Sequence, residues 1–342
     1  MKLGGIGVNN NLNIYDIAKA SNVSIATVSR VLSGSDKVSD KTKKKVMDVI
    51  EATGFKPNAF ARGLGLGSMK MVGVLCENVS DLHFSKTVSI LERLLRQNGL
   101  DTLLYCTGNE LAEKKRFIDY LLAKRVDTII LIGSVFKEET DNSHIENAAD
   151  KVPVIIINGL VQHKGVYCVL CDEKKAMHDN VVNLYNYGCK NIAYIYESLT
   201  YSGIQKLEGF KEGLKECGLI YRPELVIKPL KDFTVIKEYI QNILGEFDGV
   251  LTSEDIVAIG VCKALDEFKL KVPVIGFNNS ILAECATPTL TSVDNMMETV
   301  CSTAISILVS LLDKKSNVPD KVVVMPKLIQ RETFQIKRGD SD

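Results

Sequence analysis

The run NVSIATVSRVL, Asn22 to Leu32, places short hydroxylated side chains and one arginine at spacings that can do chemistry. On a helix, Ala26, Thr27, Ser29 and Arg30 share the outer side while Val28, Val31 and Leu32 face inward. Thr27 and Ser29 can hydrogen-bond bases or phosphates, Ala26 can touch a thymine methyl, and Arg30 can grip guanine O6 and N7 with two prongs. Small residues matter here because a helix backbone must come close to base edges before it can read them. The row Lys41, Lys43, Lys44, Lys45 then offers phosphate neutralisation. An ordinary helical hairpin with a solvated face would show the same pattern.

Other chemistries find little support. The Gly-rich GLGLGS precedes a strand-like run instead of following one, so it lacks the context of a dinucleotide loop. There is no GxxxxGKS, GxSxG or HExxH, and the four histidines have no paired spacing. The nine cysteines are scattered among apolar residues, which suits small core side chains in a reducing compartment. Cys168 and Cys171 form a CxxC, but an i, i+3 pair on a strand points to opposite faces. No metal and no cofactor is expected. MKLGGIGVNNN is too polar for a signal peptide, and no 18-residue apolar run exists for a membrane span, so a cytoplasmic location is expected.

The elements that must position these residues come in two textures, with a seam near Gly63 to Met71. Before it, NIYDIAKAS reads as a helix with Ile14, Ile17 and Ala18 inward, followed by a tight turn and by Ser24 as the cap of the next helix. A third helix begins after Ser39, buries Val46, Val49 and Ile50, and stops at Gly54. The chain is formally neutral, yet residues 12–70 carry ten Lys or Arg against five Asp or Glu. After the seam, the apolar runs MVGVL, TLLYC, TIILI, VIIIN, NIAYIY, GVLTS and VPVIGF alternate with helices such as Val88 to Asn98 and Lys206 to Cys217. Strands buried on both faces imply doubly wound parallel sheets, and the length implies two lobes with a cleft between them.

Residues 14–64, IYDIAKASNVSIATVSRVL through FARGL, resemble the DNA-binding headpiece of the lactose-repressor and galactose-repressor family of bacterial regulators. The similarity continues in KLEGFKEGL, SEDIVAIGVCKAL, VPVIGFNNS, PTLTSVD and PKLIQRETF, and GFNNSILAE is worded most like maltose-operon repressors. The resemblance implies an α/β protein: a helix-turn-helix headpiece over 13–56, a hinge helix and linker over 57–70, and a two-lobed periplasmic-binding-protein-like domain over 71–336. An N-terminal extension over 1–12 is expected to be flexible, and 337–342 form a tail. The first lobe takes about 71–168 and 294–320, the second about 169–293 and 321–336.

By the same resemblance, Tyr15, Ser24, Ile25, Ala26, Thr27, Ser29, Arg30, Lys37 and Lys44 meet DNA, with Ile25 and Ala26 varying with the operator. Asn58, Ala61 and Arg62 lie near the minor groove and Leu64 wedges a base step. A helix of about seven residues followed by Gly63, Gly65 and Gly67 is too short to persist alone in water, so it is expected to form with DNA and a partner hinge. His83, Phe84, Ser134, Lys206, Glu254, Asp255 and Asn278 are the implied effector contacts, and Phe84, Tyr201 and Phe277 the candidates for stacking on a sugar. Three positions depart from the family pattern. Lys206 replaces an arginine and loses the planar two-pronged contact, Asn278 replaces a carboxylate, and Glu254 replaces an asparagine. Asp255 also reads as a helix N-cap.

The expected function is thus a homodimeric repressor on palindromic operator DNA, controlled by a small sugar such as maltose or a maltodextrin, with no enzyme activity and no membrane partner. Alternatives are a catabolite regulator using a phosphocarrier protein as corepressor, a sugar receptor, or an α/β enzyme. The phosphocarrier option is weakened by the absence of Lys and Arg from 296–312.

Overall fold

The structure is a computed structural model that describes residues 12–32, 37–55, 68–228 and 232–336. The expected N-terminal extension, apart from its last residue, lies outside them, as do the tail and the hinge positions Asn58, Ala61, Arg62 and Leu64. The chain divides into two compact units, the first holding the headpiece and the second running from Val72 onward apart from a short return at 125–127.

Three helices make the headpiece: α1 (Ile14–Ala20), α2 (Ile25–Leu32) and α3 (Asp40–Thr53). Asn13 starts α1 with a capping box, accepting from the Tyr15 and Asp16 amides while Asp16 accepts from the Asn13 amide at 2.9 Å. Asn22 makes the turn at φ +47°, a region that asparagine tolerates better than most residues. Ser24 Oγ then caps α2 through the Thr27 amide at 3.1 Å. Ile17, Val28 and Val46, one from each helix, are fully buried against one another. Gly54, in the left-handed region, ends α3 as expected.

The second unit is built on two six-stranded sheets. The first runs β2-β1-β3-β4-β5-β11, formed by Met71–Cys76 (β1), Asp101–Cys106 (β2), Thr128–Ile132 (β3), Val154–Ile157 (β4), Val166–Cys171 (β5) and Lys321–Val324 (β11). The second runs β7-β6-β8-β9-β10-β12, formed by Ile192–Ile195 (β6), Val226–Ile227 (β7), Gly249–Thr252 (β8), Val274–Phe277 (β9), Thr291–Asp294 (β10) and Lys327–Ile329 (β12). Strands β3 and β4 are buried at every residue, as a parallel strand covered by helices on both faces must be. Helices α4 (Leu82–Gln97), α5 (Leu111–Ala123), α6 (Ser143–Ala149) and α12 (Met297–Leu312) accompany the first sheet. With the second go α7 (Glu173–Tyr187), α8 (Tyr201–Glu216), α9 (Phe233–Asn242), α10 (Asp255–Glu267) and α11 (Ile281–Cys285).

The lobes exchange chain three times, after β5, after β10 and between β11 and β12. Two details of the expected division change. Strand β5 extends to Cys171 in the first sheet, and β11 pairs with β5 there, so 321–324 belong to the first lobe and not the second. The reason is packing, since Val322 and Val324 lie against the core of the first sheet. The expectation of parallel strands also gives way at β12, which is antiparallel to β10. Among the described residues, no helix is long and apolar enough to cross a membrane.

Candidate DNA-reading helix and effector cleft

In the headpiece, α2 buries Val28 and Val31 and leaves Ile25, Ala26, Ser29 and Arg30 exposed, with Thr27 half-buried. Apart from Ile25, the exposed face is therefore built of small side chains around a single arginine. Thr27 Oγ1 lies 2.8 Å from Ser24 Oγ, so the two hydroxyls fix one another before any outside contact. Tyr15 is 66% exposed although it sits in the first turn of α1, and Lys37 and Lys44 are exposed as well.

In the second unit, both sheets reverse their winding order between neighbouring strands, β1 against β3 and β6 against β8. Ligands of doubly wound sheets bind where the loops after such strands part. Here the four loops converge on one cavity of about 250 Å³. The loop after β1 brings Glu77, Asn78 and Asp81, the turn after β3 brings Gly133 and Ser134, the loop after β6 brings Glu197, Ser198 and Thr200, and the end of β8 brings Ser253 and Glu254.

His83, Phe84, Ser134, Lys206, Glu254 and Asn278 all line this cavity. His83 and Phe84 stand in the first turn of α4, because Asp81 Oδ1 accepts from both amides, at 2.8 and 3.3 Å, and starts the helix six residues before the expected Val88. Burial, and then the Lys206 ammonium, hold the His83 imidazole below its ordinary pKa, so it is neutral at pH 7. Gly133 sits at φ +103°, and a Cβ there would lie 2.8 Å from the Phe84 ring. Only glycine both adopts this backbone and leaves room for that ring. Ser134 Oγ donates across the cleft to Thr200 Oγ1 at 2.8 Å, linking the lobes directly.

Lys206 is 6% exposed. Its Nζ lies 3.4 Å from Glu173 Oε1, donates to the Ser253 carbonyl at 3.2 Å and sits 4.0 Å above the Phe277 ring. This closeness depends on Gly209, where a Cβ would lie 2.0 Å from the Lys174 carbonyl oxygen, so α8 can press onto the start of α7. The lysine that replaces the family arginine is thus part of a buried ion pair. Asn278, at φ +95°, accepts from Asn295 Nδ2 at 2.8 Å, which ties the end of β9 to the second crossover.

Two expectations are corrected by packing. Asp255 does not line the cavity: its carboxylate accepts from the Ser280 amide at 2.6 Å and from the Ser292 hydroxyl, joining α10 to the loop after β9 and to β10. Its burial pushes its pKa up. The helix cap is Glu254, one residue earlier. Phe277 is fully buried beneath Lys206 and Tyr201 borders a separate cavity of about 150 Å³, so of the three stacking candidates Phe84 alone reaches the cleft. Sequence reasoning missed Glu77, Asn109, Asn158, Glu173 and Glu197. Position just past a strand at the point of reversed winding is the signal that finds Glu77 and Glu197, whereas Asn109, Asn158 and Glu173 follow β2, β4 and β5.

Both CxxC cysteines are buried, and the Cys168 thiol donates to the Val161 carbonyl at 3.6 Å. Among the described residues, no group of three or more His, Cys, Asp or Glu could hold a metal ion.

Residues 13–58 match the model described as bacterial regulatory proteins, lacI family, and 181–334 match the periplasmic binding protein-like domain. An HTH-type transcriptional regulator of Lachnoclostridium phytofermentans is 43% identical over 94% of this chain and 99% of its own. Catabolite control protein A of Priestia megaterium is 29% identical over 94% and 98%. Among solved structures, the Lac repressor dimer bound to operator and the anti-inducer ONPF shares the fold, with a TM-score of 0.82 at 21% identity over 94% of this chain and 98% of that one. A headpiece with a small-residue reading helix, two doubly wound lobes around a polar cleft and similarity along nearly the whole length place the chain in the lacI family of DNA-binding transcriptional regulators.

Proposed function

We propose that the protein represses carbohydrate-utilisation genes by binding a palindromic operator as a homodimer, and that an uncharged sugar in the cleft, maltose or a short maltodextrin, controls the grip on DNA. One headpiece reads one half-site, so two-fold symmetry in the protein calls for two-fold symmetry in the operator. In this reading Tyr15, Ser24 to Thr27, Ser29, Arg30, Lys37 and Lys44 contact DNA, as do the hinge positions Asn58, Ala61, Arg62 and Leu64. His83, Phe84, Ser134, Lys206, Glu254 and Asn278 contact the effector.

The observation that carries the effector reading is the composition of the cleft. Five carboxylates line it, Glu77, Asp81, Glu173, Glu197 and Glu254, against one lysine already paired with Glu173. Carboxylates accept hydrogen bonds from sugar hydroxyls and repel phosphate esters. Thermal-shift measurements with maltose, maltotriose and glucose 6-phosphate test this. The neutral sugars raise the unfolding midpoint, by an amount equivalent to about 2.7 kcal/mol at a hundredfold excess over Kd. Stabilisation by the phosphate ester alone would refute the reading. Selection of duplexes from a random pool, with a palindrome enriched, tests the operator independently.

Similarity to Catabolite control protein A keeps a second reading in view, in which a serine-phosphorylated phosphocarrier protein is the corepressor. Helix α12 offers no Lys or Arg to a phosphoserine, which counts against it. Co-sedimentation with a seryl-phosphorylated phosphocarrier protein separates the two.

A further inference from the structure

At the rim of the cleft, two thiols stand side by side. Cys76 ends β1, Cys106 ends the neighbouring β2, and their sulfurs are 3.8 Å apart. Both thiols are free. The strand ends are in register, because the Thr107 amide donates to the Cys76 carbonyl at 2.9 Å and the Gly108 amide to the Glu77 carbonyl at 3.0 Å. Neighbouring strands lie about 4.8 Å apart, within the Cα separation that a disulfide spans. Cys76 is fully buried whereas Cys106 is exposed on the outermost strand of the sheet. One sulfur is thus reachable from solvent and the other is held behind it.

We propose that Cys76 and Cys106 are an oxidative modification site, closing an intrachain disulfide at the cleft rim with hydrogen peroxide as the oxidant. The Cys106 thiol loses its proton to solvent and attacks one peroxide oxygen. The S–O bond forms, the O–O bond breaks, and hydroxide leaves and is protonated to water. The Cys76 sulfur then attacks the Cys106 sulfenic acid, forming S–S and breaking S–O, and its thiol proton leaves with the hydroxide as a second water. Two thiols are oxidised by two electrons and one peroxide is reduced to two waters. A dithiol attacking the exposed Cys106 sulfur restores the pair.

The location gives the bond a consequence. Glu77 and Asn78 directly follow Cys76, Asn109 lies three residues after Cys106, and all three line the cavity. Asn109 Nδ2 also donates to Glu77 Oε1 at 2.7 Å. Drawing the sulfurs from 3.8 Å to a bond of about 2.05 Å shifts the two loops that carry this pair. The site stands on geometry alone and does not depend on which effector the cleft takes.

The test treats the full-length protein with a few equivalents of hydrogen peroxide, alkylates the remaining thiols and maps them by mass spectrometry. Expected is a peptide pair joined through Cys76 and Cys106, reversed by dithiothreitol and lost in both Cys76→Ser and Cys106→Ser. Alkylatable Cys106 falls several-fold while the exposed Cys285 keeps its reactivity, and the thermal midpoint shifts in the oxidised protein alone. Cys106 stopping at sulfinic acid while Cys76 still alkylates, or Cys106 joining two chains on a non-reducing gel, would overturn the proposal. Cys106→Ser changes an exposed position, so it keeps the experiment readable should Cys76→Ser misfold.

Discussion

Arg30 and Lys44 are both exposed cations of the headpiece, but their surroundings give them different tasks. Arg30 rises from the small face of α2, where a bidentate contact reads one base pair; Arg30→Ala should cost about 1 to 3 kcal/mol and relax selectivity at that position. Lys44 sits on α3, and Lys44→Ala should weaken all duplexes alike while lowering the salt slope by about one. Competition binding against single-position operator variants, repeated across ionic strength, separates the two outcomes. In the body, Lys206 and Glu173 are each nearly buried, at 8% and 6% side-chain exposure. Lys206→Met leaves a buried carboxylate without its ion-pair partner and should destabilise by about 3 to 5 kcal/mol in urea unfolding, and adding Glu173→Gln should restore part of the loss. The residues of α2 were legible in the sequence because their types follow from helical spacing alone. Glu173 was not, since the contact depends on how closely α8 approaches α7 through Gly209, and no spacing within either helix encodes it.

That same pair of helices carries a pH dependence. His178 on α7 lies 3.0 Å from Asp179 and 2.8 Å from Glu216 on α8, and the hydrogen bond to Asp179, before that to Glu216, raises its pKa above the ordinary value. A raised histidine pKa means that the clamp contributes fully below the unfolded value near 6.5 and is lost as pH climbs through the folded value. Wild type should therefore exceed His178→Gln in thermal midpoint by more at pH 6 than at pH 8. The comparison with the variant is needed because His83 and His144, whose pKa values are lowered by burial, act in the opposite direction as the pH falls. At this scale most strands were readable as apolar runs, but element ends were not. Helix α4 begins at Leu82 because Asp81 caps it, although the apolar stripe that betrays the helix starts later. Strands β7 and β12 escaped notice because they span two and three residues, and β11 because, although it carries Val322 to Val324, it is short and half-exposed.

For the molecule as a whole, the expected assembly is a dimer, so sedimentation should return about twice the 37.7 kDa of one chain, and operator affinity should fall steeply as salt rises. A monomer that binds a palindrome with full affinity would contradict the paired reading. The two-lobed architecture was legible from the length of the α/β part, whereas the assignment of 321–324 was not, because a strand far along the chain returns to the sheet begun by β1.

That return has a consequence for dissection and for evolution. Since the backbone passes between the lobes three times, no single cut yields either lobe as a continuous polypeptide. A truncation after β10, at residue 294, removes both α12 and β11 from the first lobe and β12 from the second, so both cores are opened by one missing tail. The sensing half of this protein can be inherited, swapped or expressed as one piece, and not as two.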